Sequence, residues 1–294
     1  MTFHDDLALD ERLDALDPLR HLMQQPSSSD TSEDEDESSR VQSAVESLIP
    51  KQRRSILNES LELSFSGLGE QEQHPIALSL AVDASPGCGG IAWPAGEVLS
   101  SYLAKRGPGY VRGRTILELG SGTGLVGLVA ARLGCESVCI TDQAPLLDIM
   151  RRNVRANALE ESVSVAELNW GEPLPSDIGQ APDLILAADC VYFEPAFPLL
   201  VQTLAELVDL HSSSSSRPSS SPAYDSTRQE LAPETETEIL FCYKKRRKAD
   251  KRFFSLLKKQ FSWTEVEDDP DRAVYTREAI SLLRLHRRGS GGGG

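Results

Sequence analysis

The chain has 294 residues, 39% of them apolar, which is enough for one folded body with a continuous core. Its net charge of −15 is unevenly spread: residues 1–40 hold twelve acids against Arg12, Arg20 and Arg40, so the acidity belongs largely to a tail. No apolar run reaches about 18 residues, so no membrane span is expected.

In chain order, the first stretch is acidic and has no basic segment leading into an apolar run, so neither a signal nor a transit peptide is expected. Residues 1–54 read as a disordered acidic tail, because Gln24–Arg40 holds too little apolar surface to repay ordering. Leu7–Leu22 carries a weak amphipathic helix signal. Leu61–Phe65 and Ile76–Val82 alternate like a hairpin, expected as a small lid or edge before the main sheet. The body alternates strand and helix. Strands are expected at Ile116–Leu119, Val138–Thr141, Val163–Glu167, Leu184–Ala188, Ile239–Tyr243, Trp263–Glu267 and Ala279–His286. Helices are expected at Leu125–Leu133, Pro145–Asn157, Ala196–Leu210 and Ala249–Gln260. Short apolar strands alternating with helices imply a mostly parallel sheet covered on both faces. With right-handed crossovers that sheet is doubly wound. The serine-rich stretch 211–237 reads as a disordered loop insertion in a domain spanning 55–288, and 289–294 as a flexible glycine-rich tail.

The sharpest chemical signal is Glu118-Leu119-Gly120-Ser121-Gly122-Thr123-Gly124, a strand entering a glycine-rich bend that opens a helix. In an open α/β sheet, ligands bind at such strand ends. Gly122, Gly124 and Gly127 also fit the dinucleotide spacing GxGxxG, so an NAD-dependent oxidoreductase is an alternative. Glu118 argues against it. A carboxylate before the bend suits a cation and repels a pyrophosphate, whereas S-adenosylmethionine carries an ammonium and a sulfonium. Asp142 ends the next strand, where a carboxylate can accept bonds from ribose hydroxyls.

These residues, with Ala92-Trp93-Pro94-Ala95-Gly96, Asn169-Trp170-Gly171 and Asp189-Cys190-Val191-Tyr192, resemble the family-16 protein lysine methyltransferases over roughly Ser55 to Arg288. The stretches Asp189–Leu200 and Phe241–Lys251 resemble the fungal branch acting on translation elongation factor 1-alpha. The resemblance implies a class I S-adenosylmethionine-dependent methyltransferase fold of seven strands, with an N-terminal β-hairpin extension. It implies that Trp93 and Gly120, Ser121 and Gly122 line the pocket for S-adenosyl-L-methionine. Asp142 would hold the ribose, Trp170 would lie against the adenine and Ala188 would touch the cofactor. Asp189 and Tyr192 would face the substrate lysine.

The chemistry is consistent with those roles. A lysine arrives mostly protonated, with a pKa of about 10.4. Asp189 is read as an acceptor orienting the nitrogen, and Tyr192 as a ring face and hydroxyl beside it. Bland alternatives stand beside each: helix capping for Asp189, and core packing for Tyr192, Trp93 and Trp170. Cys190 reads as a buried spacer. The basic run Lys244–Arg252 reads first as a solvated helix entry, then as a docking surface for an acidic partner. A protein substrate and a monomer are expected, without membrane, nucleic acid or metal. The five cysteines form no CxxC pair and suggest a cytoplasmic setting, with a nuclear address as a second option from the basic run. Methylation of a small molecule or nucleic acid, and a non-catalytic adaptor, remain as further alternatives.

Overall fold

The computed structural model describes residues 59–67, 75–83, 88–175, 178, 181–214, 237–246 and 250–288. The acidic tail, the Leu7–Leu22 helix signal, most of the serine-rich insertion and the glycine tail lie outside the described residues.

Seven strands form one sheet in the order β5-β4-β3-β6-β7-β9-β8. Their ranges are β3 Thr115–Leu119, β4 Ser137–Asp142, β5 Val163–Glu167, β6 Leu184–Ala188, β7 Glu238–Lys244, β8 Phe261–Glu265 and β9 Ile280–Arg287. β3 through β7 run parallel, and β9 inserts antiparallel between β7 and β8. The apolar runs have the cause anticipated from their composition: successive residues face opposite cores. Ile116, Leu184, Leu186 and Leu240 enter one core, while Leu117, Ile185, Ala187 and Phe241 enter the other. The first core is capped by α1 (Pro94–Arg106), α3 (Leu125–Arg132) and α4 (Leu147–Ala156) through residues such as Leu103, Leu128 and Met150. The second is capped by α5 (Phe197–Ser214) and α6 (Asp250–Leu257), where Phe241 and Phe253 stack at 5.4 Å.

Five elements differ most from the sequence reading. The helix α1 and the short α2 (Pro108–Val111) and α7 (Arg272–Arg277) are additional. β8 starts at Phe261, a fully buried ring, two residues before the expected Trp263. The helix α5 runs through Ser214, so the first residues of the expected insertion are helical, each extra residue adding one backbone bond to an existing helix.

The hairpin, β1 (Glu59–Phe65) and β2 (Ile76–Val82), forms as expected but is a separate two-stranded sheet, not an edge of the main one. Two side chains, one in α4 and one at its C-terminal cap, explain its position. Asn153 accepts the Ala81 N–H at 2.7 Å and donates to the Ala81 carbonyl at 3.0 Å. One turn on, Asn157 pairs the same way with Ser79 at 3.0 and 2.8 Å. Each side-chain amide imitates a neighbouring strand, so β2 finds its partners on a helix.

Candidate active site

The chain order reverses at β3. Its sequence neighbour β4 lies on one side, β6 lies on the other, and the crevice beyond their carboxyl ends is the topological switch point of the sheet. A cavity of about 570 Å³ occupies that crevice. It is lined by all ten residues singled out in the sequence: Trp93, Glu118, Gly120, Ser121, Gly122, Asp142, Trp170, Ala188, Asp189 and Tyr192.

The bend after β3 requires glycine for steric reasons. Gly120 has φ 60°, and a Cβ there would meet Trp170 Cζ2 at 3.0 Å and Cys190 Sγ at 3.1 Å. Gly122 has φ 55°, and its Cβ would stand 2.4 Å from the carbonyl oxygen of Gly89. L side chains pay for left-handed φ, and here they would also collide. The bend is held by side chains as well. Asp142 accepts the Gly122 N–H at 2.8 Å and the Gln143 N–H at 2.7 Å. Ser121 Oγ accepts the Thr141 N–H at 2.9 Å. Asn153, which anchors the hairpin, also donates to the Thr123 carbonyl at 2.9 Å.

Glu118 is almost fully buried, and its Oε2 accepts the Gly127 N–H at 2.9 Å, near the start of α3. Burial pushes its pKa up to about 8, against the lowering effect of the hydrogen bonds from Gly127 and Ser121. A cation placed in the cavity would return it to the charged form. Burial likewise raises the Asp142 pKa from its ordinary aspartate value, against the bonds from Gly122 and Gln143. Two desolvated carboxylates, a glycine bend and the indoles of Trp93 and Trp170 match a ligand that carries cations, ribose hydroxyls and a flat ring.

Asp189 follows β6 with φ 58°, a conformation aspartate tolerates better than most residues. Its N–H continues the ladder to the Cys242 carbonyl at 2.8 Å, while its carboxylate turns to the Arg246 guanidinium. Sequence reasoning missed this partner. Arg246 lies in the basic run read as a solvated entry, yet its side chain is only 6% exposed and lines the cavity. Further along the run, Lys251 is exposed, and Arg252 pairs with Glu194. Cys190 is the buried spacer expected, its Sγ 3.3 Å from the Leu119 carbonyl and its thiol pushed far up by burial. Gly89, Gln143 and Leu146 also line the cavity, without any motif that announced them, as do Phe193 and Leu199 from the Asp189–Leu200 stretch.

The strand order, the single reversed strand β9 and a cation-adapted cavity at the switch point define a class I S-adenosylmethionine-dependent methyltransferase. A family model described as lysine methyltransferase matches residues 72–216. The chain is 36% identical over 225 residues to the protein-lysine N-methyltransferase EFM6 of Saccharomyces cerevisiae, covering 69% of this chain and 82% of that protein. It is 36% identical to the protein N-lysine methyltransferase METTL21A of Danio rerio, covering 66% of this chain and 78% of that protein. It is 34% identical to the EEF1A lysine methyltransferase 3 of Mus musculus, covering 56% and 69%. The chain therefore belongs to this lysine methyltransferase family. It is an S-adenosylmethionine-dependent protein-lysine N-methyltransferase acting on a protein substrate.

Proposed function

We propose that the protein substrate is translation elongation factor 1-alpha. Support comes from the Asp189–Leu200 and Phe241–Lys251 stretches and from the name of the mouse relative, an EEF1A lysine methyltransferase.

We assign the site residues by the cavity that gathers them, the observation that carries this reading. When bound, the cofactor supplies an electrophilic methyl group on a sulfonium. Glu118 would face its cationic end, and Asp142 would accept from its ribose hydroxyls. Trp170, packed over Gly120, offers a ring face for the adenine, and Trp93, Gly120, Ser121, Gly122 and Ala188 form the surrounding wall. Asp189 and Tyr192 orient the lysine nitrogen, which must stand about 3 Å from the methyl carbon with its lone pair in line. A reducing compartment suits the free thiols of Cys135, Cys139, Cys190 and Cys242, and we place the enzyme in the cytoplasm, acting as a monomer.

The test is incubation of the enzyme and a labelled methyl donor with purified elongation factor 1-alpha, followed by peptide mapping. One methylated lysine, absent with Gly122→Arg, is the expected result. Label confined to another protein would refute the substrate assignment.

A further inference from the structure

Arg246 and Asp189 form a two-pronged pair at the cavity wall. Nη1 donates to Oδ1 at 2.8 Å and Nη2 to Oδ2 at 2.7 Å, with side-chain exposures of 6% for Arg246 and 3% for Asp189. The Lys244 N–H adds a third donor, reaching Oδ1 at 3.1 Å. A carboxylate has about four acceptor positions, so one remains on Oδ2. The guanidinium is itself fixed: it sits 5.8 Å from the centre of the Trp93 ring, and its Nη1 also donates to the Lys244 carbonyl at 3.2 Å, while the Arg246 backbone N–H donates to Asp250 at 2.9 Å. Among the described residues, Arg246 is the one basic side chain lining the cavity.

Methyl transfer needs a neutral amine. An unpaired buried carboxylate beside the lysine would hold its proton, opposing the reaction. Arginine does not lose its own proton in proteins, so the Asp189–Arg246 pair carries no net charge. Such a pair can accept an N–H bond without holding an ammonium. We propose that Arg246 is a positioning residue that neutralises Asp189, so that the substrate lysine gives up its proton before transfer. The ammonium passes that proton to water. The nitrogen lone pair then forms the N–C bond as the donor's S–C bond breaks, leaving a thioether and a methylated ammonium. The other ionisable groups around the cavity are Glu118, Asp142, Glu172, Cys190 and Tyr192. Glu118 accepts from Gly127, Asp142 from Gly122 and Gln143, and Glu172 from Asn169, whereas Asp250 meets the Arg246 backbone. Lys244 and Cys242 flank the pair on β7.

The proposal rests on the lysine methyltransferase assignment, and its test is the pH dependence of kcat on elongation factor 1-alpha at saturating donor. Arg246→Met is expected to move the acid limb upward by roughly 1–3 pH units, a roughly 10- to 1000-fold loss near neutrality. Arg246→Lys keeps the charge and is expected to keep the limb. Adding Asp189→Asn to Arg246→Met removes the stranded charge and is expected to recover at least about tenfold of that loss. A purely structural role for Arg246 would lower kcat equally at every pH, with no rescue by the amide, and that result would overturn the proposal. If Arg246→Met no longer binds the donor in calorimetry, the charge-balanced double variant decides: a limb at the wild-type pH supports the proposal and a displaced limb refutes it. If wild type labels a different protein, the substrate assignment falls, and the same comparison runs on that protein.

Discussion

Across 2.8 Å, the Gly122 N–H donates to Oδ2 of Asp142, which makes the bend after β3 and the end of β4 one unit. Asp142→Ala removes this anchor and the proposed acceptor for the ribose. Bonds to a charged acceptor contribute about 1.5–3 kcal/mol each, so affinity for S-adenosylhomocysteine should fall by roughly tenfold or more. Gly122→Ala, whose Cβ would meet the Gly89 carbonyl, should abolish binding while the fold persists. Titration calorimetry with circular dichroism separates the two effects, and wild-type affinity in either variant would contradict the account.

Asn153 joins the hairpin to the glycine bend. Asn153→Leu fills similar space but leaves the Ala81 N–H and the Ala81 and Thr123 carbonyls without their partner. An unsatisfied buried group costs about 1–3 kcal/mol, so the thermal midpoint should drop by several degrees or more. Donor affinity should weaken too, because Thr123 belongs to the bend. An unchanged midpoint in differential scanning calorimetry would contradict this role.

Glu118 gives a prediction about protons. Its folded pKa, about 8, is raised above the ordinary glutamate value by burial. A raised carboxylate contributes stability that is fully present below the ordinary value and is lost as pH rises through the folded one. The ligand-free enzyme should therefore lose stability from mildly acidic pH to about pH 8. Binding a cationic donor should release a proton near neutrality and narrow that loss. Binding heats measured in buffers of different ionisation enthalpy should differ for wild type and converge for Glu118→Gln; equal heats for wild type would contradict the claim.

Glu238 works in the opposite direction at the other end of β7. Burial opposes its ionisation, but hydrogen bonds from Tyr110 at 2.7 Å and Arg114 at 2.8 Å outweigh that, and its pKa is lowered. A lowered carboxylate contributes stability above the ordinary glutamate pKa, lost as pH falls through the folded value. The melting difference between wild type and Glu238→Gln should thus be largest near neutrality and shrink below about pH 4.3. A constant difference would contradict the assignment.

Strands such as Leu184–Ala188 are readable from sequence because both their faces are buried, leaving an uninterrupted apolar run. The glycine bend and Asp142 are readable because strand ends and φ > 0 restrict composition locally. Arg246 is not: its burial depends on Asp189, 57 residues away, and nothing in a basic run marks which member turns inward. The same holds for Asn153, whose partner Ala81 lies 72 residues upstream. The helix α1 escaped because its buried face includes Ser100 and Gly96 among Leu99, Tyr102 and Leu103, which blurs the apolar period. The hairpin's alternation was visible, but its seat on α4 follows from two asparagines whose role only the packed helix reveals.

The most direct test of the central claim, that this cavity transfers a methyl group to lysine, is acid hydrolysis of protein labelled by the enzyme from a radioactive methyl donor. The label should co-elute with methylated lysine and disappear with Gly122→Arg. Label in methylarginine or nucleic acid, or label that survives Gly122→Arg, would contradict it.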